Sequence, residues 1–225
     1  MGLHQRQRRF TLGGAGGVRH CRCHRKAIPI LGERVSQIGQ MGFSALALFG
    51  ELEQRERDQV LVQFANRSCS VLVATDVASR GLDISQLNAV INVDVTPDAE
   101  IYIHRIGRTG RADAQGLALT LASLDEMGAV GRIEVLQGMA STWASLDSLT
   151  AAPGGPLKAP MRTLQIVGGL KEKIRPGDVL GALTGEAGFA AQHIGKINVN
   201  EFSTHVAVSA ALAKQVMQRL SECRI

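Results

Sequence analysis

The 225-residue sequence is poor in aromatic side chains, with one Trp, one Tyr and six Phe, and holds four cysteines. Cys21, Cys23, Cys69 and Cys223 make no framework for a disulfide-stapled secreted fold, so reduced thiols are expected. No apolar run reaches the roughly 18–20 residues of a membrane span, and no charged-then-apolar signal peptide opens the chain. A cytoplasmic protein without a membrane segment is the expectation. Acid is missing from residues 1–26, which carry seven Lys/Arg, while the rest of the chain carries 18 basic and 20 acidic residues. The formal charge of +5 is therefore a property of the leader and is weak evidence about partners. No GxxxxGK(S/T) phosphate loop occurs, which excludes a self-contained site of that type. In His20-Cys21-Arg22-Cys23-His24 the CxxC spacing is absent, and ligands one residue apart seldom close a tetrahedron, so no metal is expected.

What is present is an alternation of strand and helix patterns. Ala45–Leu48, Val71–Ala74, Ala89–Val95 and Gly116–Ala122 read as strands, and helical spacing covers Glu51–Phe64, Asp98–Ile106 and Leu124–Met139. Apolar strands separated by helices imply a parallel sheet covered on both faces, with working loops at the strand C-terminal ends. Three prolines and two glycines between Thr150 and Pro160 interrupt any regular element and read as a linker. Beyond it the order is β-α-β-β-α: Thr163–Val167, Pro176–Leu183, Lys196–Val199, His205–Val208 and Ala210–Leu220. That is a β-α-β-β-α-β domain of the RRM type whose last strand would fall where the chain stops, so marginal stability is expected of this module.

The most specific polar block is His104-Arg105-Ile106-Gly107-Arg108-Thr109-Gly110-Arg111. Arginines three apart on a helical turn face one way, and planar guanidinium groups match phosphate oxygens bidentately. This block resembles motif VI of DEAD-box helicases, and Ala74-Thr75-Asp76-Val77-Ala78-Ser79-Arg80-Gly81-Leu82-Asp83-Ile84 resembles their motif V. Gly50-Glu51-Leu52-Glu53-Gln54-Arg55-Glu56-Arg57 resembles the GxxxQxxR element that precedes motif V, with Phe49 standing where the family usually has His. The three matches run in family order over residues 44–123.

The resemblance implies a RecA-like parallel sheet with helices on both faces, followed by a truncated RRM-like α+β domain. It implies that Arg108 and Arg111 reach the γ-phosphate of ATP held with Mg²⁺ on a separate first RecA-like domain, one of them as the arginine finger. His104 would couple that site to the partner domain, and Asp83 would contact the nucleotide ribose. Arg57, Thr75, Arg80 and Gly81 would lie along an RNA backbone, where contacts read no sequence. The plainer reading, in which Thr75 caps a turn and Asp83 pairs with a nearby arginine, stays open for those two residues.

Ile174–Gly185 together with Ile194–Ile197 resembles the RNA-binding domain of DbpA-type helicases, which implies 23S ribosomal RNA as partner during large-subunit assembly. Lys171, Lys173 and Arg175 stand just before the helix that opens at Pro176, and residues 161–225 hold eight basic and five acidic residues. The strands Lys196–Val199 and His205–Val208 contain no Phe, Tyr or Trp, so stacking of bases on the sheet is not expected. Recognition through basic residues and hydrogen bonds, with His205 a candidate, is the alternative.

The expected organisation is a basic leader over residues 1–40, disordered or frame-shifted or else an RNA-binding arm, then a second RecA-like domain over 41–145. A linker over 146–160 and an RNA-binding domain over 161–225 follow. The Asp-Glu-Ala-Asp box is missing along with the phosphate loop. The chain alone is therefore expected to be inactive and monomeric, needing a first RecA-like domain for ATP turnover. A catalytically inactive RNA-binding fragment is the competing reading, and the wording of motif VI weakens a third, half of a DNA-repair helicase.

Overall fold

The structure is a computed structural model that describes residues 2–6, 19–23, 28–76, 87–110, 116–151 and 153–222. The chain forms two compact units. The first joins Met1–Leu52 to Ser70–Leu157, and the second joins Glu53–Cys69 to Lys158–Ile225.

The first unit is built on a seven-stranded sheet. In chain order its elements are β1 (Gly2–Arg6), β2 (Arg19–Cys23), helix α1 (Ile28–Gln40) and β3 (Ala45–Leu48). Helix α2 (Gln54–Ala65) belongs to the second unit. There follow β4 (Val71–Thr75), β5 (Ala89–Asn92), α3 (Ala99–Ile106), β6 (Leu117–Ala122), α4 (Met127–Gln137) and β7 (Thr142–Ser145). The strand order is β3-β4-β2-β5-β6-β1-β7. The first five strands run parallel, and β1 pairs antiparallel with both β6 and β7.

All five residues of β4, Val-Leu-Val-Ala-Thr, are buried. A continuous apolar strand is what a parallel sheet covered on both sides requires. Register shows which layer covers which face. Through β2, Val71 lies in one row with Ala89 and Leu117, and Leu72 in the next row with Val90 and Ala118. Val71 and Val73 pack with Val35 and Ile38 of α1 and with Phe43 and Phe49. On the opposite face Ala118 and Ala122 pack with Tyr102 and Ile106 of α3 and with Val130 and Ile133 of α4. Asp98 caps α3 by accepting hydrogen bonds from the N–H groups of Glu100 (2.9 Å) and Ile101 (3.3 Å).

The elements within residues 1–40 were not visible as sequence periodicity. β2, Arg-His-Cys-Arg-Cys, sits between β4 and β5 without the apolar run that reveals a buried strand. α1 carries its packing face on Val35 and Ile38, three apart, while Gly32 and Gly39 weaken its helical signal. β5 also ends earlier than its sequence pattern, at Asn92, where the chain turns so that the Asp94 carbonyl faces Arg105.

The second unit pairs β8 (Met161–Val167), β10 (Ser203–Ser209) and β9 (Ile194–Val199) in the antiparallel order β8-β10-β9. With helices α5 (Pro176–Gly181) and α6 (Ala213–Glu222), the part of this unit after the linker follows the expected β-α-β-β-α order. Pro176 opens α5, where its missing N–H costs nothing. Val179, Leu183, Val206, Val208 and Val216 are its buried core, with Leu164, Ile166, Ile197 and Leu220 packed around them. The turn that follows α2 meets the edge strand β8: Thr163 Oγ1 lies 2.7 Å from Ser68 Oγ and accepts from Asn66 Nδ2 at 3.3 Å.

Cys69 is 3% exposed, and burial pushes its thiol up to about 12. Thiolate is the reactive form, so alkylation of Cys69 at pH 8 should be about a thousandfold slower than in the unfolded chain. Mass-spectrometric mapping of iodoacetamide adducts with and without urea checks this.

Candidate functional site

The expected motor residues of the first unit sit at the end of β4 and the end of α3. The α3 sequence places Tyr102, Arg105 and Ile106 on one buried face, so a cation enters an otherwise apolar stripe. Arg105 is 4% exposed. Its Nε donates to Asp76 Oδ1 (2.9 Å) and its Nη2 to Asp76 Oδ2 (2.6 Å), a bidentate ion pair, and its Nη1 donates to the Asp94 carbonyl (3.0 Å). Asp76 follows directly on β4. The bond therefore ties the helix that carries the motif VI block to the strand that carries the motif V block.

A second tie holds the loop after α3. The Thr109 hydroxyl donates to the Leu87 carbonyl, and the Leu87 N–H donates to the Arg108 carbonyl at 3.0 Å. Gly110 has φ +67°, and a methyl group at Gly116 would run into Thr109 Oγ1 and Gly110 N. Only glycine allows the loop and the start of β6 to approach this closely. On this fixed base His104 is exposed and Arg108 half-exposed, while Thr75 is 8% exposed at the end of its strand.

In the second unit Arg57 is half-exposed on α2, and Lys171, Lys173 and Arg175 are all exposed in one short stretch. That stretch is laced to the β9–β10 turn: the N–H groups of Leu170 and Lys171 donate to the carbonyls of Asn200 (2.8 Å) and Glu201 (3.0 Å). A side chain at Gly169 would strike the Asn200 carbonyl oxygen, so the approach depends on glycine there as well. The Asp178 carboxylate accepts from the Arg175 N–H at 2.9 Å and fixes the start of α5. The structure thus braces the backbone of the stretch that carries these three exposed basic side chains.

Arg80, Gly81, Asp83 and Arg111 lie outside the described residues, as do the side chains of the His20–His24 cluster. Sequence reasoning assigned no role to Asp76 or Arg105, although both lie within the quoted motifs. The usable signal was a charged residue on the apolar face of α3 together with an acid just past a fully buried strand. Among the described residues no group of three or more His, Cys, Asp or Glu could hold a metal ion, and no helix is long and apolar enough to cross a membrane.

Residues 22–113 match the helicase conserved C-terminal domain, and residues 163–225 match the DbpA RNA binding domain. The chain is 45% identical over 188 residues to the ATP-dependent RNA helicase DbpA of Escherichia coli (strain K12), covering 84% of this chain and 41% of that protein. The chain belongs to the DEAD-box RNA helicases of the DbpA type and corresponds to their C-terminal part. It is also 27% identical over 269 residues to the ATP-dependent RNA helicase DeaD of Mycobacterium tuberculosis (strain CDC 1551 / Oshkosh), covering 86% of this chain and 48% of that one. The chain spans less than half the length of these curated relatives.

Two solved DEAD-box structures share the fold. One is the E. coli DEAD-box protein SrmB bound to regulator of ribonuclease activity A, with TM-score 0.55 and 27% identity, covering 63% of this chain and 84% of that chain. The other is a DEAD box protein from the hyperthermophile Methanococcus jannaschii, with TM-score 0.51 and 35% identity, covering 55% of this chain and 34% of that chain. The parallel sheet with helices on both faces is accordingly the RecA-like fold of the DEAD-box C-terminal domain, followed by a DbpA-type RNA-binding domain.

Proposed function

We propose that this chain supplies the arginine-finger side of an ATP site and a ribosomal-RNA-binding module to an ATP-dependent RNA helicase acting on 23S rRNA in large-subunit assembly. The observation that carries the proposal is the doubly tied motif VI loop. With Arg105 committed to Asp76 and Thr109 to Leu87, the backbone that presents His104 and Arg108 is held in place before any phosphate arrives. Preorganised cations of this kind are effective because nothing has to be rearranged as charge develops.

The guanidinium of Arg108, just past the end of α3, suits the phosphate end of a nucleotide. ATP bound by a first RecA-like domain would supply the γ-phosphoryl group. Arg108, with Arg111, would meet its oxygens, His104 would face the partner domain, and Asp83 the ribose. Mg²⁺ would take its ligands from that other domain. Arg57, Thr75, Arg80 and Gly81 would follow the RNA backbone, and the braced stretch with Lys171, Lys173 and Arg175 would add sequence-independent phosphate contacts. In this reading residues 41–145 are the motor domain, 146–160 the linker and 161–225 the RNA-binding domain, in a monomeric cytoplasmic protein.

Reconstitution tests this. The chain alone should show no RNA-stimulated ATP hydrolysis, whereas mixing it with a separately produced first RecA-like domain of the E. coli relative should restore RNA-dependent turnover. RNA binding with no turnover from the mixture would leave only the binding-module reading.

A further inference from the structure

The second unit combines pieces of both matched domains: α2 comes from residues 22–113, while the β8-β10-β9 sheet falls almost wholly within residues 163–225. What joins them is small and polar. Helix α2 ends in a closed turn, in which the Arg67 N–H donates to the Phe64 carbonyl (2.9 Å) and the Ser68 N–H to the Gln63 carbonyl (2.9 Å). Such a turn ordinarily has glycine at its left-handed position, yet here Arg67 takes φ +58°, held there at a steric cost. Three consecutive residues of the turn then each give one group to β8. Asn66 Nδ2 donates to Thr163 Oγ1 (3.3 Å), the Arg67 carbonyl accepts from the Met161 N–H (3.4 Å), and Ser68 Oγ shares a hydrogen bond of 2.7 Å with Thr163 Oγ1. Asn66 is 3% exposed and Ser68 7% exposed, so water is poorly placed to replace these bonds.

Away from the turn, α2 stands off the sheet. None of its side chains joins the apolar cluster of Val179, Leu183, Val206, Val208 and Val216. Arg55, Asp58, Gln59 and Val62, at helical spacing, instead line one side of a groove of about 1050 Å³. The carboxylates of Asp58 and Glu201 line it as well, which disfavours a polyanion inside. The groove therefore reads as a spacing between helix and sheet, and the Asn66–Ser68 turn as their joint. Neither Arg57 nor Lys171, Lys173 or Arg175 lines the groove. With the joint closed, Arg57 stays half-exposed and the other three exposed.

We infer that Thr163 is a positioning residue: bonded to Asn66 and Ser68, it holds the helix that carries Arg57 in register with the stretch Lys171–Arg175, so that one RNA strand meets both cationic sets at once. The inference rests on the RNA-backbone reading of those residues given above. Two contact sets on one body raise affinity without any new contact, because the second engages from a high local concentration. With the joint cut, each set still binds, but the second must be ordered afresh.

The test is fluorescence anisotropy on the full chain at fixed salt, with a single-stranded RNA long enough to span both sets and with one too short to do so. Thr163→Val keeps the shape of the side chain and removes the hydroxyl, leaving Asn66 and Ser68 without their partner. It should weaken binding of the long strand by about tenfold or more and leave the short strand unchanged. Thr163→Ser, which keeps the hydroxyl, should bind the long strand as the wild type does. Ser68→Ala cuts the same joint from the helix side and should show the same selective loss, so the inference is tested even where Thr163→Val does not fold. An equal loss for the two strands, or no loss, in the folded variants overturns the joint and leaves RNA binding standing. Binding of neither strand by the wild-type chain removes both readings.

Discussion

Asp76→Ala lowers the stability of the first unit by about 3–5 kcal/mol, the range for removing one partner of a buried ion pair. The cost comes less from losing the attraction than from leaving the Arg105 guanidinium, 4% exposed, without its carboxylate. Three of its donor contacts are fixed, two to Asp76 and one to the Asp94 carbonyl, and water has little access to replace them. Against a typical total of about 5–15 kcal/mol this is a large share, and the melting temperature should fall by on the order of 10 °C. Circular dichroism melts of the wild type, Asp76→Ala and the double variant Asp76→Leu with Arg105→Met provide the measurement. The double variant should recover part of the loss, because no buried charge remains unpaired. An unchanged melt for Asp76→Ala would show that the pair does not hold motif VI to motif V.

Arg108→Ala should cut RNA-dependent ATP turnover in the reconstituted mixture by about 10³-fold or more, the contribution of an arginine finger. The loss should fall on kcat with little change in KM, since charge on the transferring group develops in the transition state. Arg108→Lys should recover little, because an ammonium cannot make the two parallel bonds of the guanidinium fork. Arg108 is half-exposed and lies beyond the C-terminal end of α3, and circular dichroism melts of both variants separate a loss of turnover from a loss of fold. A tenfold loss or less, or a loss confined to KM, would assign the finger role elsewhere.

The elements legible in the sequence were those whose pattern is local. β4 opens with an unbroken apolar run, β6 is apolar but for Thr120, and α3 begins at Asp98 after Pro97. Each of these signals is written within a single element. β2 and β7 were missed because their membership of the sheet is conferred by partners: β2 by β4 and β5, β7 by β1. The motif residues were legible as residue types at fixed spacing. The pair Arg105–Asp76 was not, since it joins side chains 29 positions apart.

By itself the sequence determined the family, the order of strands and helices from β3 to α4 and from β8 onward, and the identity of the cationic residues at the end of α3. Those properties rest on local periodicity and on short motifs whose chemistry depends on spacing alone. Tertiary structure decided which cation is structural and which is presented, because only packing reveals that Arg105 is buried on Asp76 while Arg108 is half-exposed. Residues 165, 198 and 205 become neighbours only when antiparallel register brings β8, β9 and β10 together.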